Sequence, residues 1–159
     1  DYVLIGGMAL VAHGYRRFTE DIDILMTPED VDRFRESCLG RGYLPAFQGA
    51  ANSFKDTATN VRIEVLKSGE YPGDGKPKPV VFPSPASVRF EREGLKIIRL
   101  EPLIELKLAS GLSAPHRLKD LSDVQDLIRL LGLPIELAES LDASVRDEYR
   151  RLWQTIHET

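Results

Sequence analysis

Two aspartates one residue apart, Asp21 and Asp23, close the segment GGMALVAHGYRRFTEDIDIL, which opens on the pair Gly6-Gly7. Around them Phe18, Ile22 and Ile24 alternate with Arg17, Thr19, Asp21 and Asp23, the spacing of a strand with one core face and one polar face. On a straight strand the two carboxylates stand about 7 Å apart. That is too far for one shared proton. It suits carboxylates that converge on hard divalent cations, since Mg²⁺ takes one or two carboxylates and completes its shell with phosphate oxygens and water. Two such ions roughly 3.5–4 Å apart can serve both the attacking and the leaving oxygen of a phosphoryl displacement. Cations also make the adjacent acids tolerable, because like charges in a buried strand are otherwise costly.

The glycine pair fits the same chemistry. Tyr2–Ile5 reads as a short buried strand and Met8–His13 as a short helix closed by Gly14. Strand, Gly-Gly, helix places bare backbone N–H groups where an anion can approach. Arg17 reads either as a solvated loop residue or as a cation that holds Asp21 or a phosphate. Thr19 suits a strand through its β-branch. His13, at a helix end, is expected to interact with the helix dipole.

These groups need a scaffold. Arg17–Met26 reads as a strand. Thr27-Pro28-Glu29-Asp30 reads as a helix start, with Thr27 as N-cap and Pro28 in the first helical position. Val31, Phe34 and Cys38 then share a face before Gly40-Arg41-Gly42. From Tyr43 to Ile98 the signals are mostly β. Val61–Leu66 is the clearest strand, with Val61, Ile63 and Val65 alternating with Arg62 and Glu64. The proline-rich stretch YPGDGKPKPVVFPSP reads as a long loop with at most a short strand at Val80–Phe82, its Lys76 and Lys78 keeping it solvated or reaching an acceptor. Val88–Phe90 and Leu95–Ile98 form a hairpin candidate. Helices are expected over Ile104–Ser110, His116–Leu131, Ile135–Leu141 and Ser144–His157. The pattern predicts one domain of α/β (α+β) class, a mixed sheet over 1–100 and a helical region over 101–159 packed on it.

Lys107 falls between Leu103 and Ile104 on an apolar helix face. A lysine there needs a partner. Asp120 or Asp123 from the next helix can supply one, and so can a nucleotide phosphate. Arg117 and Lys119 are either an exposed basic edge or contacts for phosphates. Trp153 reads as packing of the last helix.

The 159 residues suffice for one core, and 42% apolar with 29% charged residues is ordinary for a globular protein. The net charge of −4 argues against a uniformly basic nucleic-acid surface. No apolar run approaches the roughly 20 residues of a membrane span, and no stretch reads as a signal peptide. Cys38 is the only cysteine, which excludes an internal disulfide and a cysteine-based zinc site. It reads as an inert core thiol, and a reducing cytoplasm is the expected setting. The chain opens at Asp1 without an initiator Met, and Asp1 is not expected to be the natural start.

Ile5-Gly6-Gly7 followed by Arg17-x-Thr19-x-Asp21-x-Asp23 resembles the signature of the DNA polymerase beta-like nucleotidyltransferase superfamily, most nearly its bacterial minimal nucleotidyltransferases and abortive-infection toxins. The resemblance spans about residues 2–130. Leu103-Ile104-x-x-Lys107 and Arg117-x-Lys119-Asp120-x-x-Asp123 are similar to the helical region of the toxin-like members. It implies a mixed-sheet nucleotidyltransferase fold in which Gly6 and Gly7 hold a triphosphate. It further implies that Asp21, Asp23 and a third acid bind two Mg²⁺ ions, with Mn²⁺ as a substitute. Glu64 is that third acid, as ligand or base, where the family more often has Asp. Arg17, Thr19 and Lys107 complete the implied nucleotide contacts. The implied reaction moves a nucleoside monophosphate from an NTP to an acceptor hydroxyl, on a tRNA 3′ end, a protein or a small molecule, and releases pyrophosphate. The alternatives are a non-catalytic nucleotide- or partner-binding member of a toxin–antitoxin pair, and a metal-dependent phosphohydrolase.

Overall fold

The computed structural model describes residues 1–16 and 18–158. Its contacts divide the chain into two compact units, Asp1–Gly69 with Phe82–Arg99, and Glu70–Val81 with Leu100–Thr159. Residues 70–81 group with the helices rather than with the sheet.

The first unit is built on a seven-stranded mixed sheet. Tyr2–Ile5 forms β1, and Gly6–Ala12 forms the short helix α1. Asp21–Met26 forms β2, Pro28–Cys38 α2, Tyr43–Pro45 β3, Ser53–Asp56 β4 and Arg62–Lys67 β5. A helical turn, α3 at Pro85–Val88, leads into the hairpin of β6, Arg89–Arg92, and β7, Leu95–Ile98. The strand order is β3-β4-β5-β2-β1-β7-β6. β2 runs antiparallel to β1 and parallel to β5.

Thr27 caps α2 as expected: its hydroxyl accepts from the Asp30 N–H at 3.2 Å, and Pro28 needs no partner for an N–H it lacks. The buried face of α2 sets Val31 against Phe54 of β4 and Val65 of β5, with Met26, Phe34, Leu39 and Ile63 around them. Phe34 meets the Phe54 ring edge-on at 4.9 Å between centroids. Each such fully buried side chain contributes about 1.5–3 kcal/mol. Because side chains alternate along β5, Ile63 and Val65 point to this cluster while Arg62 and Glu64 take the opposite face. His13 is held by more than a helix dipole: its Nε2–H donates to the Ile98 carbonyl at 2.8 Å, and its ring lies 5.5 Å from Phe90. Cys38 is a free, half-buried thiol.

The expected strand over 17–26 is too long. Residues 18–20 carry no strand pairing, and β2 begins at Asp21. Arg17 lies outside the described residues.

In the second unit Leu100–Ser113 forms α4, Leu118–Leu131 α5 and Ala143–His157 α6. Pro115–Arg117 and Ile135–Ser140 are 3₁₀ turns, so the helix expected from His116 becomes α-helical at Leu118 and the one expected over Ile135–Leu141 is 3₁₀. The helices α4 and α5 approach closely at Gly111, where a Cβ would stand 2.5 Å from Leu121 Cγ. Tyr149 is fully buried, and its hydroxyl donates to the Pro134 carbonyl at 2.9 Å. Burial foremost, with the Glu136 charge second, pushes that phenol up to about 12. Trp153 Nε1–H donates to Leu133 O at 2.9 Å, so it packs the last helix as expected. The proline-rich segment has no strand at Val80–Phe82. Lys78 neither solvates the loop nor reaches outward; its ammonium donates to Pro72 O, Asp74 Oδ1 and Lys76 O, each at 2.7 Å. Among the described residues no helix is long and apolar enough to cross a membrane.

Candidate active site

The parallel pairing of β2 with β5 sets Asp23 beside Glu64 and Asp21 beside Arg62. Partners in register share a face, so the two aspartates, Arg62 and Glu64 stand together on the side of the sheet away from the Val31–Phe54–Val65 cluster. The row continues across the sheet. Ser53 of β4 is opposite Glu64, and Ile5 of β1 is opposite Asp23. Sequence alternation along Val61–Leu66 pointed to this face for Glu64, and the register places it next to Asp23.

Gly6 follows Ile5 directly. It takes a left-handed backbone, φ +64°, and a Cβ there would overlap Asp23 Oδ2 and stand 2.9 Å from its Cγ. A Cβ on Gly7 would stand 2.9 Å from Thr19 Oγ1. The room left by the two missing side chains is therefore taken by Asp23 and Thr19. Thr19 lies before the strand, not in it, and its hydroxyl donates to the Asp21 carbonyl at 3.1 Å. That bond fixes the backbone where β2 begins.

Glu64 is held on one side by its neighbours in the sheet. Its Oε1 accepts from Ser53 Oγ at 2.7 Å and lies 3.8 Å from Arg62 Nε. Arg62 in turn lies over the exposed ring of Phe47, 5.9 Å from its centroid.

Hard carboxylate oxygens suit Mg²⁺, which needs only one or two of them when phosphates and water complete the shell. A ready-made cage of three is a different matter. Among the described residues no group of three or more His, Cys, Asp or Glu converges to hold a metal. The expected gathering of Asp21, Asp23 and Glu64 is thus a shared face and row, with Glu64 turned to Ser53 and Arg62. Carboxylate oxygens as a donor type fit a hard cation.

Lys107 belongs to the helical unit and not to the sheet. Its ammonium donates to Asp120 Oδ1 at 3.0 Å and to Asp123 Oδ2 at 2.9 Å. The carboxylates of the next helix, considered from sequence, thus pair with it. Ser110 Oγ donates to Asp120 Oδ2 at 2.6 Å and accepts from Arg117. Burial pushes the Asp120 carboxyl up, but Lys107, Ser110 and Arg117 together outweigh it and hold it below the usual carboxylate range. Sequence reasoning missed Ser53, Ser110 and Thr19's backbone bond, since nothing in their local spacing marks them.

No family model matches the chain, and no curated protein matches it either. Among solved structures, the chain is similar to a "putative nucleotidyltransferase from H. pylori" at 18% identity and a TM-score of 0.49, covering 99% of this chain and 86% of that one. It is also similar to JHP933 from Helicobacter pylori at 16% identity and a TM-score of 0.40, covering 99% and 84%. Neither reaches a TM-score of 0.5, so what the site can do follows from this chain's own residues: a row of acids on a central strand pair, beside a turn with no side chains.

Proposed function

We propose that the chain is a metal-dependent nucleotidyltransferase, moving a nucleoside monophosphate from an NTP to an acceptor hydroxyl and releasing pyrophosphate. The observation that supports this reading is the register that sets Asp23 beside Glu64, with Asp21 one step along the same face and Gly6 against the Asp23 carboxylate. Asp21 and Asp23 would hold Mg²⁺, or Mn²⁺ in its place, with Glu64 as the third acid. When bound, the cations supply neutralisation of the triphosphate's charge. The chain's own part is positioning, which is most of what phosphoryl transfer requires. Backbone N–H groups at Gly6 and Gly7, with Thr19 beside them, would receive the phosphates. The acceptor oxygen forms a bond to the α-phosphorus, and the bond from that phosphorus to the bridging oxygen breaks. The electron pair leaves with pyrophosphate. The acceptor's proton passes to Glu64 or to water. A tRNA 3′ end, a protein side chain and a small molecule are the acceptor classes to offer.

A second reading is favoured by the absence, among the described residues, of a ready three-acid cage. Here the chain binds nucleotide or a partner protein without turnover, as one member of a toxin–antitoxin pair. One experiment separates the two. Each α-labelled NTP is supplied with Mg²⁺ and the three acceptor classes, with Asp21→Ala/Asp23→Ala as control. Label transfer that depends on the two acids supports the enzyme. Nucleotide binding without transfer supports the binding module, and neither result sinks both.

A further inference from the structure

We infer that Ser53 is the positioning residue of the acid row, holding Glu64 by one oxygen so that the other is presented for the chemistry; this rests on the nucleotidyltransferase reading. Ser53 is only 6% exposed, one of three buried polar or charged residues among those described. The other two, Ser110 and Asp123, belong to the Lys107 network. A buried hydroxyl is costly without a partner, and the hydrogen bond Ser53 makes is to Glu64. Glu64 has no such need, because its side chain is 37% exposed and water could solvate it. The bond therefore does more for the carboxylate's orientation than for its solvation.

The mount of that hydroxyl is itself braced. Ser53 O accepts from Ala46 N at 2.9 Å, and Asn52 O accepts from Val65 N, the residue after Glu64, at 2.8 Å. Asn52 Oδ1 accepts from Arg35 Nη2 of α2 at 2.9 Å. Both contacts of the Glu64 carboxylate, Ser53 and Arg62, fall on Oε1, and Oε2 has no partner among the described residues. Of the two, only the serine is within hydrogen-bonding distance. Serine turns about one side-chain torsion and glutamate about three, so the serine fixes the glutamate and not the reverse.

The test uses the whole chain as wild type, Ser53→Ala, Ser53→Cys, Ser53→Thr, Glu64→Gln and the Ser53→Ala/Glu64→Gln pair. Four quantities are read: Mn²⁺ affinity by electron paramagnetic resonance with a non-hydrolysable NTP analogue, kcat, KM for NTP, and the thermal unfolding midpoint. Loss of an outer partner of this kind typically costs about 10–100-fold in metal affinity or activity. Ser53→Ala and Ser53→Cys are expected to lose that much in kcat, with KM for NTP within about twofold and the unfolding midpoint unmoved. Ser53→Thr, which keeps the hydroxyl, recovers the loss. In the Glu64→Gln background Ser53→Ala costs nothing further, because the two act as one unit. Unchanged kcat and Mn²⁺ affinity in both Ser53→Ala and Ser53→Cys, or an equal loss with and without Glu64, overturns the inference while leaving the enzyme reading intact. A wild type that neither binds Mn²⁺ nor transfers label removes both.

Discussion

Gly6 lies with its backbone against the carboxylate of Asp23, so closely that a Cβ would overlap Oδ2. The first residue of the turn and the second acid of the strand are thus fitted to one another. Gly6→Ala adds two costs: a left-handed backbone for a residue with a side chain, about 1–2 kcal/mol, and displacement of Asp23. Gly132 is a matched control, with φ +61° against +64° and nothing within 4 Å of its would-be Cβ. Urea unfolding of Gly6→Ala and Gly132→Ala is expected to give the larger loss at Gly6. Equal losses would mean that the Asp23 contact carries no weight.

Asp23→Asn keeps the shape of the side chain and removes its charge. Chelation with EDTA and the Asp23→Asn change are each expected to remove label transfer, the variant by roughly a hundredfold or more, since several kcal/mol of charge stabilisation goes with the cations. Added Mg²⁺ restores the chelated wild type and not the variant. A circular dichroism melt like that of the wild type shows that the fold is intact.

Lys107→Met leaves Asp120 and Asp123 facing each other without their shared cation. Breaking a buried pair from one side costs about 3–5 kcal/mol, so a fall of that size in unfolding free energy is expected, with KM for NTP unchanged. A rise in KM at full stability would instead give Lys107 the phosphate role considered from sequence.

Two carboxyls of the helical unit give opposite pH slopes. Asp120 is held below its ordinary 3.8, so its contribution is complete above that value and is lost as pH falls through the folded pKa. Glu105 is raised from 4.5, by burial first and then the Asp142 charge, against the Asp142 N–H that lowers it. Its charged form opposes folding, and stability rises as pH falls through its folded pKa toward 4.5. Unfolding free energies against pH should show a shallower acid fall in Asp120→Asn and a smaller rise on acidification in Glu105→Gln.

Much of the site was legible because its signals are local. Asp21 and Asp23 share a face by strand alternation, the turn at Gly6-Gly7 is written in its glycines, and Thr27-Pro28 carries its own helix start. Glu64 was readable as a face. Its place beside Asp23 depends on the pairing of β2 with β5, which no local spacing encodes. Ser53 escaped for the same reason, since it matters only through the strand opposite. The strand was read too long because Phe18 continues the alternation, yet it is 84% exposed and unpaired, while Thr19 turns to Gly7. The proline-rich loop was recognised from composition. Its inward anchor at Lys78 was not, because backbone carbonyls several residues apart take the ammonium.

The strand that carries both aspartates is the fourth of seven, bonded on one side to β1 and on the other to β5. Its amides open to solvent only when the middle of the sheet parts. Deuterium should therefore enter β2 more slowly than β3 or β6 at the margins. Such a platform lets the strand, and not whatever binds there, set the spacing of the two carboxylates.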